Sequence, residues 1–225
     1  MSDFADAPDP QPVVERLDRF DGLRWRVRTD RVQLPRGEVV ARDYQVHPGA
    51  VGIIALDDDE RILFVRQYRH PVGFLLWEPP AGLMDLAGES ALATAQRELV
   101  EEAGVVAGQW NVLADWFNSP GGSTEAFRCF LARDLAPAPG GKPPGEAEEA
   151  DMPSRWVSLD DAVAAVLAGD LGNPTAVAGI LAAAAARATG WQNLRPGDAP
   201  WPVRDQLVAT DRVRFRIRLD GLDRE

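Results

Sequence analysis

The spacing of apolar and polar residues along the chain predicts a series of strands. Alternation between residues 23 and 46, around a turn at 35–37, predicts a small antiparallel β unit. The nearly continuous apolar run 50–56 predicts a buried central strand, and 61–69 is interpreted as its hairpin partner across an acidic turn. Further strands are predicted at 74–78, 110–118, 124–132 and near 155–157.

Capping residues predict three helices. One helix ends at Gly104, a residue type that commonly terminates helices. A second begins at the capping motif 158–161 and runs to residue 168. A third begins at Asn173, with proline at its first position, and continues to about residue 188. Beyond residue 190, the alternation at 212–219 predicts one extra strand.

The helix that ends at Gly104 carries an unusual set of charges. Glu98 lies three residues before Glu101 and four before Glu102, so helical spacing places the three carboxylates on one face. Such like-charged pairs destabilise a helix by about 0.2–0.5 kcal/mol each. The pattern has two interpretations, a solvated acidic face or a site for a hard divalent cation, which prefers oxygen ligands.

Composition and charge exclude several classes of protein. The net charge of −11 argues against a nucleic-acid-binding or anionic-membrane-binding surface, since both need basic patches. No apolar run approaches the ~20 residues that span a bilayer, and the N-terminal residues lack a signal peptide's apolar segment, so we expect a cytoplasmic protein. The single cysteine, Cys129, excludes an internal disulfide and is predicted to be buried in a strand.

The acidic helix and the turn before it resemble the Nudix box, written G-x5-E-x7-R-E-U-x-E-E-x-G-U with U apolar. Every fixed position from the first glutamate onward matches: Glu89, Arg97, Glu98, Leu99, Glu101, Glu102, Gly104 and Val105. The glycine departs, because Gly82 lies one residue further from Glu89 than the pattern requires. The resemblance implies an α/β fold, a Nudix α/β/α sandwich with a mixed sheet. It also implies hydrolysis of a nucleoside diphosphate linked to another moiety.

Four further stretches resemble ADP-ribose pyrophosphatases: 47–51, 66–71, 77–82 and 119–121. Pro120 follows Val105 by fifteen residues, as the marker proline of that subfamily does. The resemblance covers residues 39–188. It implies that ADP-ribose is cleaved to AMP and ribose 5-phosphate with Mg²⁺ or Mn²⁺. It further implies a homodimer in which the subunits exchange their N-terminal β units.

The resemblance also implies metal and catalytic residues. Glu98 and Glu102 are predicted metal ligands, with Glu101 close behind and the Ala81 carbonyl completing the set. The general base is expected from the acidic loop before the strand at 155–157. Glu148 is the first choice and Glu149 the second. Arg97 is expected to lie off the metal face, where it would hold Glu89 or the loop of the box.

Other matched positions are predicted to contact substrate. Arg66 could clamp the diphosphate, because a guanidinium matches phosphate oxygens, or it could be a plain surface arginine. The remaining predicted contacts are Gly121, Glu78 and Glu125, the last two near the ribose or the metal. Arg42 and Asp43 are expected to reach in from the partner subunit.

The predicted organisation is a disordered segment 1–12, a β unit 13–47, a Nudix domain 48–189 and an extension 190–225. Two alternative functions stay open. One is hydrolysis of another nucleotide-linked compound, such as GDP-mannose, NADH or FAD. The other is a sensor that binds ADP-ribose without cleaving it; such proteins lose carboxylates of the box, and this chain keeps them.

Overall fold

The computed structural model describes residues 4–22, 25–144 and 152–209. The chain divides into two compact units. The first comprises Met1–Gly49, Phe117–Ala126 and Trp201–Glu225, and the second comprises Ala50–Trp116 and Phe127–Pro200. Two of the predictions, the general base in the acidic loop and the strand at 212–219, lie outside the described residues.

The described strands are β1 (Val13–Asp21), β2 (Arg26–Gln33), β3 (Val39–Val46), β4 (Ala50–Ala55), β5 (Arg61–Arg69), β6 (Phe74–Glu78), β7 (Ala81–Leu83), β8 (Val105–Phe117), β9 (Ala126–Pro137), β10 (Ser154–Ser158) and β11 (Arg195–Pro196). The described helices are α1 (Ala91–Ala103), α2 (Leu159–Ala168), α3 (Pro174–Ala188) and α4 (Pro202–Ala209). None of these helices is long and apolar enough to cross a membrane.

The first unit contains an antiparallel sheet in the order β1-β2-β3. The predicted β unit is therefore present, and β1 is a strand that the alternation pattern did not single out. Pairs of charged residues separate the apolar residues of β1, so the strand does not show strict apolar–polar alternation. The strand is also mostly exposed. The loop after β8 joins this unit through a bridge between Gln45 and Ser123.

The second unit contains a five-stranded sheet, β11-β8-β9-β4-β7, and a three-stranded sheet, β10-β5-β6. The five-stranded sheet is mixed, because β4 pairs parallel to β9 and antiparallel to β7. The predicted hairpin of 50–56 with 61–69 is wrong. The two strands lie in different sheets and share one isolated bridge, Leu56 to Ile62. Adjacent strands in a sequence can diverge into two layers, which periodicity alone does not reveal.

Alternate residues of β4 face two separate hydrophobic clusters. Ile54 belongs to the cluster that includes residues of α2 and α3, whereas Ile53 belongs to the cluster that includes α1. β9 divides in the same way, with Cys129 on the first side and Phe130 on the second. The sheet is thus covered on both faces by helices, which explains the continuous apolar run of β4. Cys129 is buried in a strand, as predicted.

The predicted helix caps are confirmed. Ser158 caps α2 by accepting from Asp161 N, and Asn173 caps α3 by accepting from Ala176 N. Each cap satisfies a backbone donor that the helix itself leaves unpaired. Short-range capping signals therefore located these helix starts correctly from the sequence.

Candidate active site

Helix α1 has well-defined ends, which fix the positions of its acidic residues. Ser90 caps the start by accepting from Ala93 N. Gly104 ends the helix in the left-handed conformation, with φ of 65°, and its N–H reaches the carbonyls of Leu99 and Val100. A residue with a Cβ would be strained in this conformation, which explains the glycine.

Arg97 is the centre of the polar side of α1. Its guanidinium donates to both carboxylate oxygens of Glu89, each at 3.0 Å. It also donates to Glu98 and Glu101, each at 2.8 Å. The predicted contact with Glu89 is confirmed, and the structure adds contacts of Arg97 with Glu98 and Glu101 that the sequence interpretation did not expect. The long arginine side chain reaches along the helix, so Cα spacing alone underestimates its range.

These contacts shift two pKa values. Hydrogen bonds from Arg97 hold the pKa of Glu89 below its usual value, and Thr94 contributes a further hydrogen bond. The pKa of Arg97 is raised, chiefly by Glu89. Glu89 therefore stays ionised and anchors the turn before α1 to the helix.

Glu98 and Glu102 lie against strand β7. Glu102 is 7% exposed and accepts a hydrogen bond from Ala81 N at 3.0 Å. Glu98 touches Gly82 so closely that a Cβ at position 82 would lie 2.1 Å from the Glu98 carboxyl. Only glycine permits this approach. Gly82, which lies one residue further from Glu89 than the box pattern requires, therefore still contacts α1. The additional residue lies in the segment 84–90 between β7 and α1, which contains a turn.

The donor set on α1 and β7 fits a hard divalent cation. Glu89, Glu98, Glu101 and Glu102 carry four negative charges, and Arg97 carries one positive charge, so this group has an excess of three negative charges. Carboxylate oxygens and a backbone carbonyl oxygen, such as that of Ala81, are ligand types that Mg²⁺ and Mn²⁺ accept. Within the described ranges, no three acidic, histidine or cysteine side chains stand together as a preformed ligand set. Glu101, with its side chain 44% exposed, is held by Arg97.

Glu78 and Arg66, both predicted to contact substrate, lie on opposite faces of the three-stranded sheet. Glu78 pairs with Val65, whereas Arg66 pairs with Trp77, and neighbouring residues of a strand point to opposite sides. Arg66 stacks on Trp77, 5.5 Å from the ring centroid. The structure therefore does not bring Arg66 and Glu78 together.

Arg69 was missed by the sequence interpretation. Its guanidinium forms two short contacts with the buried Glu78, at 2.9 Å and 2.6 Å. Glu78 is 2% exposed, so this pairing compensates its charge. Strand alternation could have identified Arg69, because residues 66 and 69 of β5 point to opposite faces of the sheet. Once Glu78 is paired with Val65, Arg69 shares its face and Arg66 does not.

In the first unit, Glu125 closes a turn that also contains Gly121. Asn118 donates to Glu125 Oε1 at 2.7 Å, and its backbone N–H reaches the Glu125 carbonyl at 3.3 Å. Gly121 is exposed in this turn, between Ser119 and Ser123. Burial raises the pKa of Glu125, and the Asn118 hydrogen bond opposes that rise.

Arg42 and Asp43 lie on β3 of the first unit. Asp43 accepts from Thr29 Oγ1 at 2.5 Å, and Arg42 donates to its neighbouring carbonyl at Ala41. Both residues are exposed. A role across a subunit interface stays a prediction for this pair.

The chain resembles several known proteins. The NUDIX domain model matches residues 46–177. An ADP-ribose pyrophosphatase of Mycobacterium tuberculosis is 44% identical over 85% of this chain and 91% of its own length. An ADP-ribose pyrophosphatase of Bacillus subtilis is 33% identical over 56% of this chain and 68% of its own length.

A solved structure described as an ADP compounds hydrolase superimposes with a TM-score of 0.70 at 19% identity. It covers 83% of this chain and 99% of its own. At that identity the similarity concerns the fold, and it confirms the predicted α/β/α sandwich with a mixed sheet. The domain match spans more than half of the chain and includes β7 and α1, which carry the box. The chain belongs to the Nudix family.

Proposed function

We propose that this protein hydrolyses the diphosphate bond of ADP-ribose, or of a close ADP-sugar, to AMP and a sugar phosphate. The structural observation that carries the proposal is the convergence of Glu98 and Glu102 on the backbone of Ala81 and Gly82. The relative of 44% identity, which spans most of both chains, supports ADP-ribose as the substrate.

The chemistry requires charge neutralisation and an activated water. A diphosphate carries negative charge that repels a nucleophile. Mg²⁺ or Mn²⁺ would be held beside it by Glu98, Glu101, Glu102 and the Ala81 carbonyl. The cation would neutralise the phosphate oxygens and lower the pKa of the attacking water. Arg97 donates hydrogen bonds to Glu98 and Glu101, and Ala81 N donates one to Glu102, so all three carboxylates are held in position.

Further roles belong to the same proposal. Glu148, with Glu149 as second choice, accepts the proton of the attacking water. Glu78, Glu125, Gly121 and Arg66 contribute to substrate binding. A homodimer brings Arg42 and Asp43 of one subunit to the substrate of the other, and the protein acts in the cytoplasm.

The substrate is tested by comparing hydrolysis rates for ADP-ribose, GDP-mannose, NADH and FAD under identical conditions with Mg²⁺. We expect ADP-ribose to have the highest kcat/KM. If GDP-mannose, NADH or FAD is cleaved faster than ADP-ribose, the assigned substrate is wrong although the reaction class stands.

The reaction class is tested by metal removal. We expect no turnover of ADP-ribose after chelation and full recovery when Mg²⁺ or Mn²⁺ is returned. Binding of ADP-ribose without hydrolysis at saturating metal would contradict the enzymatic proposal and favour a sensor.

A further inference from the structure

Thr94 is a buried polar residue of α1 that lies outside the fixed positions of the box. It is 0% exposed and occupies one of the seven variable positions between Glu89 and Arg97. A buried hydroxyl group costs free energy unless it forms a hydrogen bond, and threonine is a weaker helix former than alanine or leucine. Packing alone favours an apolar residue at this position, so the hydroxyl group of Thr94 needs an explanation.

The hydroxyl proton of Thr94 is assigned to the carboxylate of Glu89. Thr94 Oγ1 lies 2.9 Å from Glu89 Oε2 and 3.0 Å from the carbonyl oxygen of Ser90. That carbonyl already accepts the backbone N–H of Thr94 at 2.9 Å, whereas a carboxylate is the stronger acceptor. Because a hydroxyl group has one proton to donate, Glu89 is its better partner. Thr94 therefore ties the residue before the helix cap to the first turn of α1.

The position of Glu89 controls the orientation of the Arg97 guanidinium. Nε donates to Glu89 Oε1 and Nη2 donates to Glu89 Oε2, each at 3.0 Å. A two-point contact of this kind fixes the plane of the guanidinium as well as its position. The remaining nitrogen, Nη1, donates to Glu98 and Glu101, each at 2.8 Å. A rotation of the Glu89 carboxylate would therefore move the donor that holds two of the predicted metal ligands.

Thr94 restricts that rotation. Among the described residues, the side chain of Glu89 accepts hydrogen bonds from Arg97 and Thr94 alone. A carboxylate and a guanidinium that hold only each other can turn together, because their mutual contacts survive the movement. The hydroxyl group of Thr94 is a third contact from a buried position on the helix, and it fixes the pair relative to α1.

We propose that Thr94 is a positioning residue for the metal site. Its hydroxyl group holds the pair formed by Glu89 and Arg97. Through Arg97, it keeps Glu98 and Glu101 in the orientation that binds a divalent cation. The inference rests on the proposed function for the presence of that cation. Residues directly behind metal ligands contribute tenfold or more to metal affinity, and Thr94 should contribute less because it acts through two further side chains.

Two substitutions separate the hydroxyl group from the packing of the Thr94 side chain. Thr94→Val keeps the branched shape and removes the hydrogen bond, whereas Thr94→Ser keeps the hydroxyl group and removes a buried methyl group. We expect Thr94→Val to weaken Mn²⁺ binding by about fivefold and Thr94→Ser to bind Mn²⁺ within about twofold of wild type. Isothermal titration calorimetry without substrate measures this affinity independently of turnover.

Thermal unfolding shows why the pair is informative. Both variants should lose about 2–4 °C in melting temperature, one through the lost hydrogen bond and the other through the lost methyl group. A purely structural role would therefore weaken Mn²⁺ binding alike in both. In hydrolysis of ADP-ribose, Thr94→Val should need more Mg²⁺ for half-maximal rate, with kcat within about twofold of wild type at saturating Mg²⁺.

Thr175 provides a matched control. It is also a buried threonine, 3% exposed, in the first turn of α3, and its methyl group lies close to Gly52. Helices α3 and α1 cover opposite faces of the five-stranded sheet. Thr175→Val and Thr175→Ser should therefore leave Mn²⁺ affinity within about twofold of wild type, whatever they do to stability.

Equal Mn²⁺ affinity in Thr94→Val and wild type, or equal weakening in both Thr94 variants, would overturn the positioning role while the metal site stands. A wild type that binds no Mn²⁺ would contradict the metal site of the proposed function, and the role of Thr94 with it. If the wild type prefers another substrate of the panel, the Mg²⁺ dependence is measured with that substrate, so the substrate assignment fails separately.

Discussion

Asp30 in the N-terminal sheet and Glu102 in α1 are both buried carboxylates, with 2% and 7% of their surface exposed. Asp30 accepts hydrogen bonds from two guanidinium nitrogens of Arg16, at 2.8 Å and 2.9 Å, and from the Tyr44 hydroxyl at 3.0 Å. Its charge is matched by a guanidinium within the same sheet. Glu102 instead lies on a helix face with Glu98 and Glu101, near a network in which Arg97 contacts Glu89, Glu98 and Glu101.

The two arrangements imply different roles. A buried carboxylate with a fitted arginine is a structural element, and its removal leaves an uncompensated charge. Like charges that crowd one helix face are unfavourable, and such local conflict is expected at functional sites. Activity should therefore depend on α1, whereas stability should depend on Asp30.

The largest effect is expected for Glu102→Gln. Loss of a predicted metal ligand should lower kcat/KM for ADP-ribose by about a hundredfold or more, since even residues behind the ligands contribute tenfold or more. The melting temperature should stay the same or rise, because one negative charge leaves a like-charged group. Steady-state kinetics and calorimetry on the same sample measure both. A variant with wild-type activity would contradict the assignment of the site.

Asp30→Asn should produce the opposite result. The unfolding free energy should fall by about 2 kcal/mol, below the 3–5 kcal/mol typical of a fully buried pair, because Arg16 is partly exposed. Urea denaturation measures this change. Asp21→Asn is the control, since the Asp21 contact with Arg26 is a single, more exposed ion pair. Equal destabilisation in Asp30→Asn and Glu102→Gln would remove the contrast between the two regions.

A smaller effect on activity is expected for Arg97→Lys. A lysine cannot make the paired contacts with Glu89 while also bridging Glu98 and Glu101. The carboxylates should lose orientation, and kcat/KM should fall by about tenfold. Titration with Mg²⁺ should show a weaker apparent affinity. Arg187→Lys is a suitable control, because Arg187 also contacts two acidic residues, Glu60 and Asp160, on an exposed surface.

The smallest effect concerns pH. The pKa of Glu89 is lowered in the folded protein, so its ionised form stabilises the fold above the unfolded pKa of about 4.3. That contribution is lost as pH falls through the lower folded pKa. Arg97→Met should therefore flatten the decline of unfolding free energy at acid pH, measured by urea denaturation between about pH 5 and 2.

Glu125 should respond with the opposite sign. Its pKa is raised by burial, so protonation favours the folded state and the penalty for its charge is present at neutral pH. Glu125→Gln should raise the melting temperature slightly at pH 7, and the gain should shrink as pH falls below the folded pKa. If the difference in melting temperature between Glu125→Gln and wild type stays constant from pH 7 to below the folded pKa, the carboxylate charge does not cause it.

The sequence alone determined the parts of the molecule that depend on short-range chemistry. The caps at Gly104, Ser158 and Asn173 were predicted correctly, because each depends on one residue type at a helix end. The fixed spacing of the box gave the family, and the central strand β4 followed from its apolar run. None of these features requires knowledge of a distant contact.

Tertiary structure decided the rest. Whether β5 paired with β4 depended on competition from β9, β6 and β10, which no local pattern encodes. Arg66 and Arg69 lie on opposite faces of β5, and only the position of Glu78 in the folded sheet shows that Arg69 is its partner. The contact of Gly82 with Glu98, and of His47 with Glu125, joins residues far apart in the chain, and close approach of that kind is set by packing.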